Sequence, residues 1–180
     1  MAVHAAFLRG VNLGPRRKAG AAELRSVFEG MGFKDVATFR TSGNVVFDAR
    51  EPTSKLTARI EKALADSLGF EVTVFLRTAR EIQAIAAHQP FSRAAVDASR
   101  GKLQVALLSA KPAASTRGEV LALATAEDRL ALSDRELYWL PSGGTRDAAL
   151  NMRAIDKHLG PMTMRTKGTV EQLAAKYFAG

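Results

Sequence analysis

Apolar residues in this chain change their spacing in a set order, from every second position to every third or fourth and back, and few folds accept that order. Residues 3–9 form a short apolar run stopped by Gly10, which reads as a strand. Residues 10–20 form a loop rich in Gly, Pro and basic side chains. Leu24, Val27, Phe28 and Met31 then recur at helical spacing, with Gly30 and Gly32 as the stop. Residues 36–40 and 45–48 read as two strands. Between them Thr41-Ser42-Gly43-Asn44 reads as a hairpin turn with Gly43 available for positive φ. Pro52-Thr53-Ser54 opens a helix carrying Leu56, Ile60, Leu64 and Leu68 on one side, and Gly69 ends it. Residues 71–77 alternate as a strand. The order is β-α-β-β-α-β, that of a ferredoxin-like plait.

The same order then returns. Thr78 and Glu81 predict a capping box for a helix through Ile82, Ile85 and Ala86, stopped by Gln89-Pro90-Phe91. Residues 89–101 read as a connecting segment. Residues 103–109 are apolar enough for a buried strand. Thr116 and Glu119 predict a second capped helix over Val120, Leu123 and Ala124. Residues 129–132 and 136–140 read as a strand pair, 150–159 as a helix and 163–165 as a short strand. Thr169 and Gln172 predict the cap of a last helix over Val170, Leu173, Ala174 and Tyr177. The expected architecture is α+β: two ferredoxin-like (βαββαβ) plaits joined by a helical linker, plus a C-terminal helix. The expected divisions are 1–77 for the first plait, 78–101 for the helix and linker, 102–168 for the second plait and 169–180 for the last helix. The halves share element order without evident sequence identity, and each is expected to fold at least in part when cut apart between Pro90 and Gly101.

Composition narrows the chemistry. With 180 residues, 47% of them hydrophobic, the chain can bury a core without staples. The absence of cysteine excludes disulfides, thiolate metal sites and a cysteine nucleophile. No segment approaches the length that spans a bilayer, and the N-terminal run lacks a basic n-region and ends at Arg9, so a cytoplasmic protein without membrane partners is expected. No dinucleotide fingerprint, nucleophile elbow or Walker lysine appears. His4, His88 and His158 lie far apart in sequence, and neither a metal site nor a cofactor is expected. Tyr138 and Trp139 sit side by side in a strand, one ring to each face, and Trp139 reads as core. Phe39 and Phe47 on the first hairpin also fit a helix-covered core face.

The net charge of +8 is uneven. Residues 1–50 carry +4 and residues 151–180 carry +3, whereas 101–150 are neutral. That concentration suits a localised anion-attracting face. Topology says where. In a βαββαβ plait the first two strands run parallel with the third between them. The first strand–helix loop and the hairpin turn therefore leave the same sheet edge, about two strand spacings or ~10 Å apart. Arg9, Gly10, Asn12, Arg16, Arg17 and Lys18 should approach Arg40, Ser42, Gly43 and Asn44. Five cations, two amides and a hydroxyl would cluster there, with no carboxylate inside either loop. Gly10, Gly14 and Gly43 would let backbone amides form an anion nest, and the loop feeds a helix N-terminus. Asn44, read as a solvated turn residue, is expected to serve a ligand and to cost little stability when truncated. Arg165 and Lys167, before the last helix, form a second candidate anion site.

The opening Phe7-Leu8-Arg9-Gly10-Val11-Asn12-Leu13-Gly14, with Ala22-Glu23-Leu24, Gly32-Phe33 and Ser42-Gly43-Asn44-Val45-Val46-Phe47, resembles the bacterial family catalogued as domain of unknown function 1697. Gln89-Pro90-Phe91 is similar to its "NPF" step, and Leu159-Gly160 with Thr163-Met164-Arg165 to its C-terminal stretch. The chain departs from the pattern at Pro15, where a second Gly is usual, and at Thr166-Lys167-Gly168, where Asn-Trp-Asn is usual. The resemblance implies alpha-beta plaits and no established activity.

These residues predict a non-enzymatic protein that binds an anionic ligand at the loop edge: nucleic acid, a nucleotide or a phosphorylated small molecule. One alternative is an enzyme acting on an anionic substrate at that edge, with Ser42 or a carboxylate as the reacting group. The other is a structural protein, a homodimer paired through sheet edges, with incidental basicity.

Overall fold

The computed structural model describes residues 2–146 and 148–180; Met1, which begins the N-terminal apolar run, and Asp147 lie outside the described residues. β1 (Ala2–Arg9), α1 (Ala21–Gly30), β2 (Lys34–Thr38), β3 (Asn44–Ala49), α2 (Thr53–Leu68) and β4 (Thr73–Thr78) follow in the expected order. Their strands make one antiparallel sheet, ordered β2-β3-β1-β4. α3 (Ala79–Ala87) and α4 (Arg93–Ala98) lead to β5 (Gln104–Leu108), α5 (Ala114–Leu121), β6 (Asp128–Ser133), β7 (Glu136–Pro141), α6 (Met152–Leu159) and β8 (Met162–Thr166). The second antiparallel sheet is ordered β6-β7-β5-β8, the same topology again, and α7 (Lys167–Tyr177) follows it. Both halves are thus α+β plaits of the ferredoxin-like order.

Each plait is held by one helix-covered sheet face. α1 buries Leu24 and Phe28; α2 buries Leu56, Ile60 and Leu64 at four-residue spacing. They close on Ala6, Leu8, Val45, Phe47, Val74 and Leu76, alternate residues of three strands. Each of the buried Leu, Ile, Val and Phe side chains contributes about 1.5–3 kcal/mol. Gly69 ends α2 in the left-handed conformation, with its N–H donating to the Ala65 carbonyl at 3.0 Å. β1 lies between two partners, and Ala5, Ala6, Phe7 and Leu8 are all buried, which is why it reads as a continuous apolar run. In the second plait Ala106, Leu108, Val120, Leu137, Trp139 and Ile155 form the corresponding core. Trp139 is core because its Nε1–H donates to the buried Asp128 carboxylate at 2.9 Å.

Register aligns the two plaits residue by residue. Ala5 lies between Val46 and Arg77; Val105 lies between Tyr138 and Arg165. Arg77 and Arg165 therefore occupy equivalent sites, and each donates to the carbonyl of the residue before it. Thr78 and Thr166 follow, and each accepts at its hydroxyl from the N–H three residues on. The Leu8 and Leu108 N–H groups donate alike, to the Gly43 and Arg135 carbonyls. The halves thus share an Arg-Thr step that element order alone does not reveal.

Several boundaries differ from expectation. Residues 93–98 of the connecting segment form α4, capped by the Ser92 hydroxyl, which accepts from Ala95 N–H at 3.2 Å. α5 begins at Ala114, so Thr116 lies inside it and does not cap it. α6 begins at Met152 behind an Asn151 cap. α7 begins at Lys167 with Thr166, not Thr169, at the capping position. The chain divides into two compact units, Met1–Ala84 with Leu173–Gly180, and Ile85–Gln172, so the boundaries fall inside α3 and α7 and not in the connecting loops. Among the described residues no helix is long and apolar enough to cross a membrane.

Candidate functional site

The structure brings the 10–20 loop onto the hairpin turn by bonds between their own backbones and side chains. Leu8 N–H donates to the Gly43 carbonyl at 2.8 Å. Asn12 spans the gap: its Nδ2 donates to the Thr41 carbonyl at 2.9 Å, and its Oδ1 accepts from Ala19 N–H at 3.0 Å. Its own N–H donates to the Arg17 carbonyl, closing the loop on itself. Asn12 is therefore the strut between the two segments as well as a polar group at the edge.

Gly43 packs where a side chain would not fit. A Cβ there would lie 2.7 Å from Val11 Cγ2 and 3.1 Å from Leu8 Cβ, and its φ is +79°. Gly10 at +93°, Asn12 at +56°, Gly14 at +89° and Arg40 at +60° share this conformation. Five left-handed residues thus converge on one sheet edge. Asn12 adopts it readily, as asparagine does, whereas Arg40 does so at a cost.

Asn44 is placed otherwise than expected. It opens β3 and is 1% exposed. Its Nδ2 donates to the Phe39 carbonyl at 2.8 Å and to the Ser42 hydroxyl at 2.9 Å, while its carbonyl accepts from Phe39 N–H at 2.9 Å. Asn44 is the internal pin of the hairpin. The Ser42 hydroxyl that it holds is exposed, and an amide N–H that donates to a hydroxyl takes no proton from it, so this bond orients Ser42 without activating it.

Arg9, Arg16, Arg17, Lys18 and Arg40 are all exposed at this edge. The Arg17 guanidinium lies 5.7 Å from the Phe70 ring centroid and the Arg40 guanidinium 5.5 Å from that of Phe39. The loop runs into α1, whose Gly20 N-cap supplies no side-chain hydrogen bond, so the exposed first turn presents its backbone amides to solvent beside Glu23.

The second candidate pair is interior. Arg165 is 9% exposed and donates to the Thr163 hydroxyl and the Met164 carbonyl. Burial pushes its guanidinium down to a pKa of about 10, still charged at neutral pH. Lys167 is 3% exposed, with its ammonium on the Ala86 carbonyl at 3.0 Å and the Glu171 carboxylate at 2.5 Å. Arg165 thus braces β8, and Lys167 the first turn of α7. The histidines have separate surroundings: His4 stacks on Phe47, His88 lies against Tyr138, and His158 Nδ1 is 3.1 Å from Glu119.

One cluster escaped the sequence reading. Phe39 pairs with Asn44, one step out of phase with Val45 and Phe47, so the pleat turns it to the sheet face opposite the helix-covered core. There it meets Tyr177 edge-on, with centroids 6.2 Å apart, and Lys176 lies 6.0 Å from Phe39 and 5.2 Å from Tyr177. The only sequence signal was the phase of Phe39 relative to Phe47, which the turn obscures.

The family model described as "Protein of unknown function (DUF1697)" matches residues 1–138, which takes in the whole loop edge and stops before the C-terminal motif. No curated protein matches the chain. Among solved structures, the conserved bacterial protein SP0830 from Streptococcus pneumoniae is similar, with 18% identity, 97% of each chain covered and a TM-score of 0.75. That likeness shows a shared fold over both plaits.

Proposed function

The chain belongs to the family described as protein of unknown function, DUF1697, and since that membership names no activity, we propose from the loop edge that the protein binds an anionic, phosphate-bearing ligand there. The observation that carries this reading is the junction itself. Asn12 ties the 10–20 loop to the 40–44 turn, and the joined segments carry four exposed cations and no carboxylate of their own, with Arg9 at the end of β1 as a fifth. Arg9, Arg16, Arg17, Lys18 and Arg40 would pair with phosphates. Gly10, Gly14 and the uncapped start of α1 would supply backbone N–H groups. Ser42 adds an oriented hydroxyl. Because the cations lie along exposed loops, a polyanion that touches several at once suits the edge better than one small phosphate.

Fluorescence anisotropy with inorganic polyphosphate and labelled oligonucleotides at low salt tests the reading. Wild type is expected to bind, and the triple variant Arg16→Ala, Arg17→Ala, Lys18→Ala to bind more weakly at unchanged melting temperature. Absence of wild-type binding to every polyanion, together with no phosphorylated small molecule in native mass spectrometry, would refute it.

A further inference from the structure

We propose, resting on the anion-binding reading above, that Phe39 and Tyr177, flanked by Arg40 and Lys176, form a stacking platform for an unpaired nucleobase, so that the polyanion is a single-stranded nucleic acid. The two rings meet at 85°, the edge of one against the face of the other, so each ring keeps a face that the pair does not use. Both are only partly buried. The exposed Arg40 guanidinium lies 5.5 Å from the Phe39 ring centroid and the exposed Lys176 ammonium 6.0 Å from it, so the ring sits among cations that a nucleic acid backbone would attract. An exposed cation–π contact is weak, so a base can compete with the guanidinium for the Phe39 ring.

The platform is joined to the anion edge through the backbone. Both the N–H and the C=O of Phe39 are held by Asn44, whose amide also holds Ser42 in the turn that Asn12 ties to the basic loop. A bound strand would lay its phosphates on Arg40 and the 10–20 loop and a base on Phe39. Positive charge beside aromatic faces is the pairing that single-strand binders use, whereas a duplex keeps its base faces stacked away from such a ring.

The test compares an oligo(dT) of about 12 nucleotides, within the size such sites cover, with an abasic strand and a duplex of equal length. Wild type is expected to bind oligo(dT) about 5- to 150-fold more tightly than the abasic strand, the gain that stacking one base gives. Phe39→Leu keeps the apolar volume without the ring and is expected to lose that gain while binding the abasic strand as before. Phe39→Trp is expected to keep it, with quenching beyond that of Trp139, the chain's single tryptophan. Equal wild-type binding of the two strands, a gain retained in Phe39→Leu, or preference for the duplex would overturn the platform and leave the anion reading standing. The wild-type comparison needs no variant to fold. Failure of every strand and of polyphosphate to bind would instead remove the polyanion, and the platform with it, leaving native mass spectrometry to decide the anion reading.

Discussion

Truncating Asn44 to Ala removes two hydrogen bonds from inside the first hairpin and leaves the Phe39 carbonyl without its amide donor. The expected cost is about 1–3 kcal/mol, read as a lower urea midpoint. Asn44→Asp should cost at least as much, because a carboxylate sets an acceptor against that carbonyl. A melting temperature within a degree of wild type for both would contradict the pin described for this residue. The sequence presents Asn44 as a turn residue because Ser-Gly-Asn reads as exposed. Its burial follows from the turn closing one residue earlier than the pattern suggests, with β3 starting at Asn44 itself. The neighbouring Asn12, Arg40 and Ser42 were legible as an edge cluster, since topology alone brings their loops together. Their mutual bonds were not, because apolar periodicity says nothing about where an amide points.

Sheet edges decide whether the plaits stay apart from other chains. Val74, on the outer strand β4, donates its N–H to the Glu61 carboxylate of α2 at 2.9 Å. On β6, the outer strand of the other sheet, the Leu132 carbonyl accepts from Arg117 of α5 at 2.9 Å. Side chains thus occupy one backbone group on each of these two outer strands that a partner strand would otherwise use. Glu61→Ala is expected to cost about 0.5–1.5 kcal/mol, and Glu61→Gln, which still accepts, much less. Chemical denaturation checks the order of the two. Helix starts show how far local signals reach. The Thr78–Glu81 box forms as read, because β4 delivers the chain straight into α3. The Thr116–Glu119 box does not, because α5 has already begun at Ala114 and Glu119 lies beside His158. A capping box is legible only where the incoming chain meets the helix at that residue.

At the scale of the molecule, the repeated βαββαβ order was legible because each plait repeats the alternation of apolar periods. Membership of the two compact units was not, since nothing in the pattern of residues 173–180 ties them to the first eighty-four. In the structure Leu173 and Phe178 are buried, and the Phe178 carbonyl accepts from Gln83. Deleting residues 173–180 is expected to cost roughly 3–6 kcal/mol, from two apolar side chains at about 1.5–3 each. Calorimetry of the shortened chain checks this; an unchanged melting profile would count against the assignment. The charge carries its own prediction. If four of the five edge cations engage a single strand, log K against log salt should slope near −2.8, at roughly −0.7 per phosphate, and the Arg16, Arg17, Lys18 triple variant should flatten it by up to ~2.1. Titration at several salt concentrations reads both values. The placement of the last eight residues also sets an order in time. A chain emerging from the ribosome meets the first unit's opening segment first, yet that unit lacks its closing piece until residue 180 has been made. At about 5–20 residues per second, the intervening segment from Ile85 to Gln172 takes roughly 4–18 s to synthesise. For that interval the segment made first waits for its closing piece, and the unit made second has all its residues before the first does, so birth order and completion order are reversed.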